Sequence, residues 1–174
     1  SPDDLPQEIA FRVHRRVLAE WARTRDICFR WVRESDREGL ARLFDGEALA
    51  RKPAWERYLS DADRDVVIAL SRGEAVGFAA VGLRSRDRIQ IDHIFVVPDL
   101  RRWGIASRLV EQIKALASRR KVASITTRVA ADNPALLLFA QNEFRVYDFR
   151  NRAGGSILLL RYLMNDDLEG DNDE

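Results

Sequence analysis

A chain of 174 residues with 46% hydrophobic and 33% charged residues has the size of one domain and enough apolar side chains to fill its core. A formal net charge of +1 removes any global electrostatic case for nucleic acid or an anionic membrane and leaves only local basic patches open. The single Cys28 excludes an internal disulfide framework and a multi-cysteine metal site, and His14 and His93 are not spaced as a metal pair.

Taken in chain order, Ile9, Phe11, Val13, Val17, Leu18 and Trp21 recur at near-helical spacing and predict an amphipathic helix over Leu5 to Arg25. A strand follows at Ile27 to Arg33, where Cys28 reads as a small apolar side chain, with helices beginning near Ser35 and near Pro53. Three antiparallel strands are expected at Asp65 to Leu70, Ala75 to Leu83 and Arg88 to Val97, joined by turns at Ser71 to Glu74 and Arg84 to Asp87. Then come a helix at Gly104 to Arg120, a strand at Ser124 to Val129 and a helix at Pro134 to Asn142. Strands at Arg145 to Arg150 and Ser156 to Leu163 complete the series. This is an α/β chain with a mixed, twisted sheet flanked by helices. The last residues, 165–174, are dominated by Asp, Glu and Asn and bury too little apolar area to offset ordering entropy, so a disordered acidic tail is expected. No apolar run approaches the roughly 18 residues of a membrane span, and the N-terminus lacks a secretory signal pattern. A reducing cytoplasm is the expected location.

From the fourth predicted strand into the helix that follows it, Ile94 to Val110 runs through Arg101-Arg102-Trp103-Gly104-Ile105-Ala106-Ser107 as an apolar strand, a basic turn and an amphipathic helix. Main-chain N–H groups at a helix start lack intrahelical partners and, with the helix dipole, favour an anion. Small residues at 104 and 106 let a pyrophosphate approach the main chain, and Arg101 and Arg102 add charge. The turn, preceded by Val97-Pro98, resembles the pyrophosphate loop of the GCN5-related N-acetyltransferase (GNAT) superfamily, Arg/Gln-x-x-Gly-x-Gly/Ala; the often-glycine position after the first arginine is Arg102 here. Asp132-Asn133-Pro134-Ala135-Leu-Leu-Leu-Phe139 through Phe144 is similar to that family's Asn-x-x-Ala-x-x-x-Tyr-x-x-x-Gly-Phe helix. Asp132 replaces the asparagine, Phe139 the tyrosine and Glu143 the glycine.

The resemblance implies a GNAT-like fold over residues 26–164, a mostly antiparallel sheet of about six to seven strands, with residues 1–25 as an extra helical extension. It implies acetyl-CoA as cosubstrate and direct attack of a primary amine on its thioester. It places main-chain N–H groups of Phe95, Val96 and Val97 on the pantetheine and carbonyl, and Arg101, Arg102, Trp103, Gly104, Ile105, Ala106 and Ser107 around the pyrophosphate. Asp132, Asn133, Ala135 and Phe139 would complete the cofactor side.

For the amine proton, Ile91-Asp92-His93-Ile94 sets an acid and an imidazole inside an apolar strand. Strict alternation would point Asp92 with Ile94 and Val96 and His93 with Phe95 and Val97, so only one would face the amine unless a bulge intervenes. Asp92 is the expected base, by its match to the family's acid, with His93 second. Against these stand a carboxylate paired to an arginine and a histidine bonded within the core. A phenyl ring at 139 cannot protonate a thiolate, so either the thiolate leaves unassisted or Tyr147 or Tyr58 serves, and Phe139 packs in the core. Trp55, Tyr58 and Phe44 either line an amine pocket or pack internally.

The competing function class is a noncatalytic acyl-CoA-binding or protein-interaction module with the same fold. A narrower enzyme option, implied by the resemblance, is a toxin that acetylates aminoacyl-tRNA. Expected partners are a small-molecule or peptide amine, no membrane, no nucleic acid apart from that tRNA option, and a second copy of the chain as a candidate partner through the first helix or the strand at Ser156 to Leu163. All but Lys52, Lys114 and Lys121 of the 29 basic residues are arginine, which reads as coding bias or as phosphate contacts.

Overall fold

The computed structural model describes residues 26–46 and 57–164. The helix expected over Leu5 to Arg25, the start of the one near Pro53 and the acidic tail 165–174 lie outside these residues. The strands are β1 (Ile27–Trp31), β2 (Arg64–Ser71), β3 (Glu74–Ser85), β4 (Arg88–Val96), β5 (Ser124–Ala130), β6 (Arg145–Arg152) and β7 (Gly155–Leu163), in one sheet of order β1-β2-β3-β4-β5-β7-β6. The helices are α1 (Arg37–Gly46), α2 (Arg57–Ser60), α3 (Ile105–Arg119) and α4 (Ala135–Gln141). Every strand pair is antiparallel except β4 with β5, because α3 carries the chain back across the sheet between those two strands.

Two apolar layers explain the strand sequences. On one face Ile105, Leu109, Val110, Ile113, Leu116 and Ala117 of α3 pack on Val67, Val81, Ile89, Ile91 and Ile125. On the other, Leu40 and Leu43 of α1 and Tyr58 of α2 pack on Val66, Ile68, Phe78 and Ala80. Strands β2 and β3 are therefore covered on both sides, and they read as unbroken apolar runs, Val66 to Ala69 and Val76 to Val81, all buried. β6 is the opposite case, an edge strand exposed along its whole length. Between β2 and β3, Arg72 and Gly73 take left-handed φ of 52° and 85°, the backbone a two-residue hairpin needs for its twist to match the strands. Cys28 is exposed on β1.

The ladder between β4 and β5 is short. Arg88, Ile89, Gln90 and Ile91 pair with Ser124 to Thr127, and the Thr127 hydroxyl donates to the Ile91 carbonyl at 3.1 Å. Beyond that rung β4 continues to Val96 beside β3, while β5 continues to Ala130 beside β7, so the two strands part. The divergence begins at a β-bulge: Ala80 pairs with His93 but Val81 pairs with Ile91, leaving Asp92 as the extra residue. A bulge bends its strand and raises the local twist.

Asp36 braces β1 to the start of α1. Its carboxylate accepts two hydrogen bonds from the Arg30 guanidinium, at 2.6 and 2.8 Å, and one from the Arg33 N–H at 2.8 Å. Arg30 holds the Asp36 carboxyl below its usual value of 3.8. Replacing Asp36 by Ala strands the half-buried guanidinium and is expected to cost about 1–3 kcal/mol in denaturant unfolding. Because the native pKa is depressed, that difference between wild type and variant should be full above about pH 4 and fade as the pH falls below it.

Candidate functional site

The parting of β4 and β5 opens a cleft of about 560 Å³. Its walls are Ile94, Phe95 and Val96 from β4 and Ala130 at the end of β5. Arg101 and Ala106 lie at the start of α3, and Asp132 to Ala135 and Leu138 lie in and before α4. The strand pairing also decides which main-chain groups face it. The Val97 N–H donates to the Val76 carbonyl at 2.9 Å, so alternation turns the N–H and C=O of Ile94 and Val96 away from β3 and toward the gap. The Val96 carbonyl is met there by Arg101 Nε at 2.9 Å. Of the three N–H groups expected to serve a ligand, that of Val97 is thus committed to β3, that of Phe95 points the same way, and Ile94, not singled out from sequence, joins Val96.

The anion turn forms as its residue types dictate. Arg102 and Gly104 have left-handed φ of 66° and 77°, and Gly104 begins α3 with open space where a Cβ would stand. The first helical bond runs from the Arg108 N–H to the Gly104 carbonyl at 3.0 Å. The N–H groups of Ile105, Ala106 and Ser107 therefore have no partner within the helix. Arg101 stretches along the cleft with its guanidinium 5.6 Å from the Phe95 ring. The other turn side chains divide between solvent and core: Arg102 is exposed, Trp103 packs against the core, and Ile105 is buried within it. The Ser107 hydroxyl accepts a hydrogen bond from Asn142 at 3.2 Å. Across the cleft Asn133 Oδ1 accepts the Ala135 N–H at 2.9 Å just ahead of α4.

Phe139 does not line the cleft. It is 2% exposed and meets Phe144 edge to face at a centroid distance of 5.2 Å, while Leu138 takes the cleft position. Tyr147 is also elsewhere. It is 44% exposed on β6 under the Arg161 guanidinium, 5.0 Å from the ring centre, beside a pocket lined by Arg88, Ser124 and Thr126 at the beginnings of β4 and β5.

The bulge gathers Asp92, His93 and Tyr58. It shifts the alternation of β4, so Ile89, Ile91, Ile94 and Val96 all belong to the α3 side. Asp92 and His93 both meet Tyr58 on the α1–α2 side: the Tyr58 hydroxyl donates to Asp92 Oδ2 at 3.1 Å and its ring meets His93 edge-on at 6.3 Å. The orientation expected from strict alternation, Asp92 with Ile94 and Val96, is therefore replaced by one in which both polar side chains share a face. Asp92 Oδ1 accepts from Arg84 Nη2 at 2.5 Å and from Gln90 Nε2 at 2.8 Å, leaving the carboxylate side chain 8% exposed. A Cβ on Gly82 would stand 3.2 Å from Asp92 Oδ2, so a small residue there keeps room for this cluster. Burial lowers the pKa of half-buried His93 below 6.5, with Asp92 pulling the other way, and its imidazole is neutral at pH 7. Trp55 lies outside the described residues, as does the Phe44 side chain.

A parted parallel pair, an anion turn at the start of the following helix and a polar cluster behind the gap define an acetyltransferase of one family. Residues 32–161 match the family model described as "Acetyltransferase (GNAT) domain", and the chain belongs to that family. Among solved structures it is similar to the ribosomal-protein-S18-alanine N-acetyltransferase of Escherichia coli, with TM-score 0.70 and 16% identity over 85% of this chain and 99% of that one. It is also similar to Arabidopsis thaliana NAA60 in complex with acetyl-CoA, with TM-score 0.68 and 20% identity over 79% and 98%. A third is a GNAT family acetyltransferase from Elizabethkingia anophelis with acetyl-CoA bound, at TM-score 0.62 and 15% identity over 80% and 99%. At such identities the likeness is one of fold. A search of curated proteins by sequence finds no match. No helix among the described residues is long and apolar enough to cross a membrane.

Burial and the adjacent Asp92 push the Tyr58 phenol up to about 12. Of the three tyrosines, one should thus fail to ionise in the ordinary range near pH 10. Followed by phenolate absorbance, the delayed titration should vanish in Tyr58→Phe, and a wild-type curve with three ordinary tyrosines would contradict the hydrogen bond to Asp92.

Proposed function

We propose that this protein is an acetyl-CoA-dependent N-acetyltransferase that moves the acetyl group to a primary amine by direct attack. The observation that carries the reading is the β4–β5 gap: it joins the anion turn on the α3 side to His93 and Asp92 on the α1–α2 side. Membership of an acetyltransferase family supports it. The residues present fit the cosubstrate, since the unpartnered N–H groups of Ile105 to Ser107 and the Arg101 guanidinium suit a pyrophosphate and the inward main chain of Ile94 and Val96 suits an extended amide chain. When bound, acetyl-CoA supplies an activated thioester.

The chain's own residues divide the remaining work. The N–H groups of Ile94 and Val96 orient the bound chain in the gap and polarise a carbonyl placed against them. The amine arrives from the α1–α2 side, where neutral His93 accepts its proton on an imidazole nitrogen. Asp92 has both oxygens already accepting hydrogen bonds, which suits positioning the bulge and Tyr58 better than taking a proton. The thiolate leaves without a phenol beside it, which a thiol of ordinary pKa near 8.5 tolerates. Phe139 also favours the noncatalytic acyl-CoA module, and turnover decides between them.

Calorimetric titration with acetyl-CoA is expected to give micromolar binding that Gly104→Glu abolishes. Open space at that Cβ limits the folding cost to about 1–2 kcal/mol of left-handed backbone strain, while the added carboxylate repels phosphate. No binding by folded wild-type protein would sink the reading. His93→Gln should lower kcat by about 10²–10⁴ with acetyl-CoA binding intact. Because the His93 pKa is lowered, the wild-type rate should hold as the pH falls to 6.5 and drop only below it, and this acid limb should be missing from the variant. Retention of the limb would remove His93 from the role, and binding without turnover on every amine tested would favour the module.

A further inference from the structure

The sheet face that carries Asp92 continues past β4 into an uncovered, arginine-rich surface. Gln90, which donates to Asp92, stands opposite Thr126 of β5; Thr126 stands opposite Arg161 of β7, and Arg161 opposite Arg145 of β6. Partners in a ladder share a face, as do residues two apart. Arg88 therefore joins this face through Ser124, Arg128 lies on it beside Thr126, and Arg150 and Arg152 lie on it through Ile157 and Gly155. All six arginines are exposed, and none is ion-paired to a carboxylate among the described residues. By contrast Arg30, Arg37, Arg64, Arg84 and Arg120 each have such a partner.

Stability does not account for the arrangement. Like charges directly opposite on neighbouring strands, as at Arg145 and Arg161, are unfavourable. Asp148 shares the face through Leu159 and keeps its charge while accepting the Phe149 N–H at 2.8 Å, but it forms no ion pair with these arginines among the described residues. The apolar cluster beneath α1 and α2 contains no residue of β5, β6 or β7, so this half of the face lacks that cover.

We propose that this face binds a single-stranded nucleic acid through its phosphates. It measures about 23 Å along β6 from Arg145 to Arg152 and about 14 Å from β4 to β6. Arginines spread over four strands of that area can meet several phosphates of one extended strand, and guanidinium forks suit their oxygens. The exposed Tyr147 ring, already stacked on Arg161, adds a surface on which a base can stack. Six arginines on one face make a local basic patch on a chain whose formal net charge is only +1. The inference goes beyond acetyl transfer and does not depend on it, although the bound strand would lie on the side where the amine enters.

The test is fluorescence anisotropy of a labelled oligouridylate of about 16 nucleotides with the full chain. Binding should weaken more than about tenfold between 50 and 200 mM salt, as several phosphate contacts require. The variant Arg145→Glu/Arg150→Glu should bind at least about tenfold more weakly than wild type while its acetyl-CoA titration is unchanged. Loss of both ligands in that variant would be read as misfolding, and Arg145→Gln/Arg150→Gln, which keeps polar side chains on the edge strand, should then give the selective loss. No binding at 50 mM salt, salt-insensitive binding, equal affinity in the glutamine variant, or tighter binding of a poly-glutamate peptide, which would make the partner an acidic protein, each overturns the proposal.

Discussion

One extra residue in β4 organises the functional half of this molecule. With Asp92 left out of the β3 ladder, the strand changes the phase of its side chains and bends away from β5. A cleft opens on the α3 side, and two polar side chains are brought together on the other. The bulge would be costly if Asp92 were unsatisfied, since a buried carboxylate needs partners for both oxygens. Arg84, Gln90 and Tyr58 supply them from three different elements. The same contacts tie β3, β4 and α2 together, so the position of the irregularity is held by polar bonds.

The anion turn depends on that geometry in turn. Arg101 can reach the Val96 carbonyl because the strand has already left β5, and the free N–H groups of α3 open onto the space so created. Cleft and turn are adjacent for one structural reason: α3 begins directly after the strand that diverges. The two tasks proposed for the site, holding an anion and receiving a proton, would then be separated by the thickness of a single strand.

Much of this was legible in the residues and some was not. Apolar runs at 66–69 and 76–81 announced strands covered on both sides, and Ile105, Leu109, Ile113 and Leu116 gave α3 its buried stripe. Small residues at 104 and 106 between arginines and an apolar helix gave the anion turn. The bulge also had a signature that strict alternation passes over: apolar positions 89 and 91 are odd, 94 and 96 are even, and the slip between them falls on Asp92 and His93. The partners of Asp92 had no such signal, because Arg84 and Tyr58 reach it through tertiary packing, 8 and 34 residues away in the chain. The same holds for the shared face of Arg128, Arg145 and Arg161. It depends on inserting β7 between β5 and β6, and on a further register shift at Val146 and Asp148, neither of which local periodicity encodes. Tyr147 and Phe139 show the limit of pattern alone, since one stands on the far edge of the sheet and the other inside the core.

The shortness of the β4–β5 ladder has a mechanical side. Strands β1 to β4 form one leaf of the sheet and β5 to β7 another, and only four rungs join them. Every other ladder in the sheet has at least five rungs, so between the leaves the backbone leaves most of its hydrogen-bonding edge unpaired. A ligand lying along that edge would be bonded to the leaves as an added strand is, mending the sheet where it is thinnest.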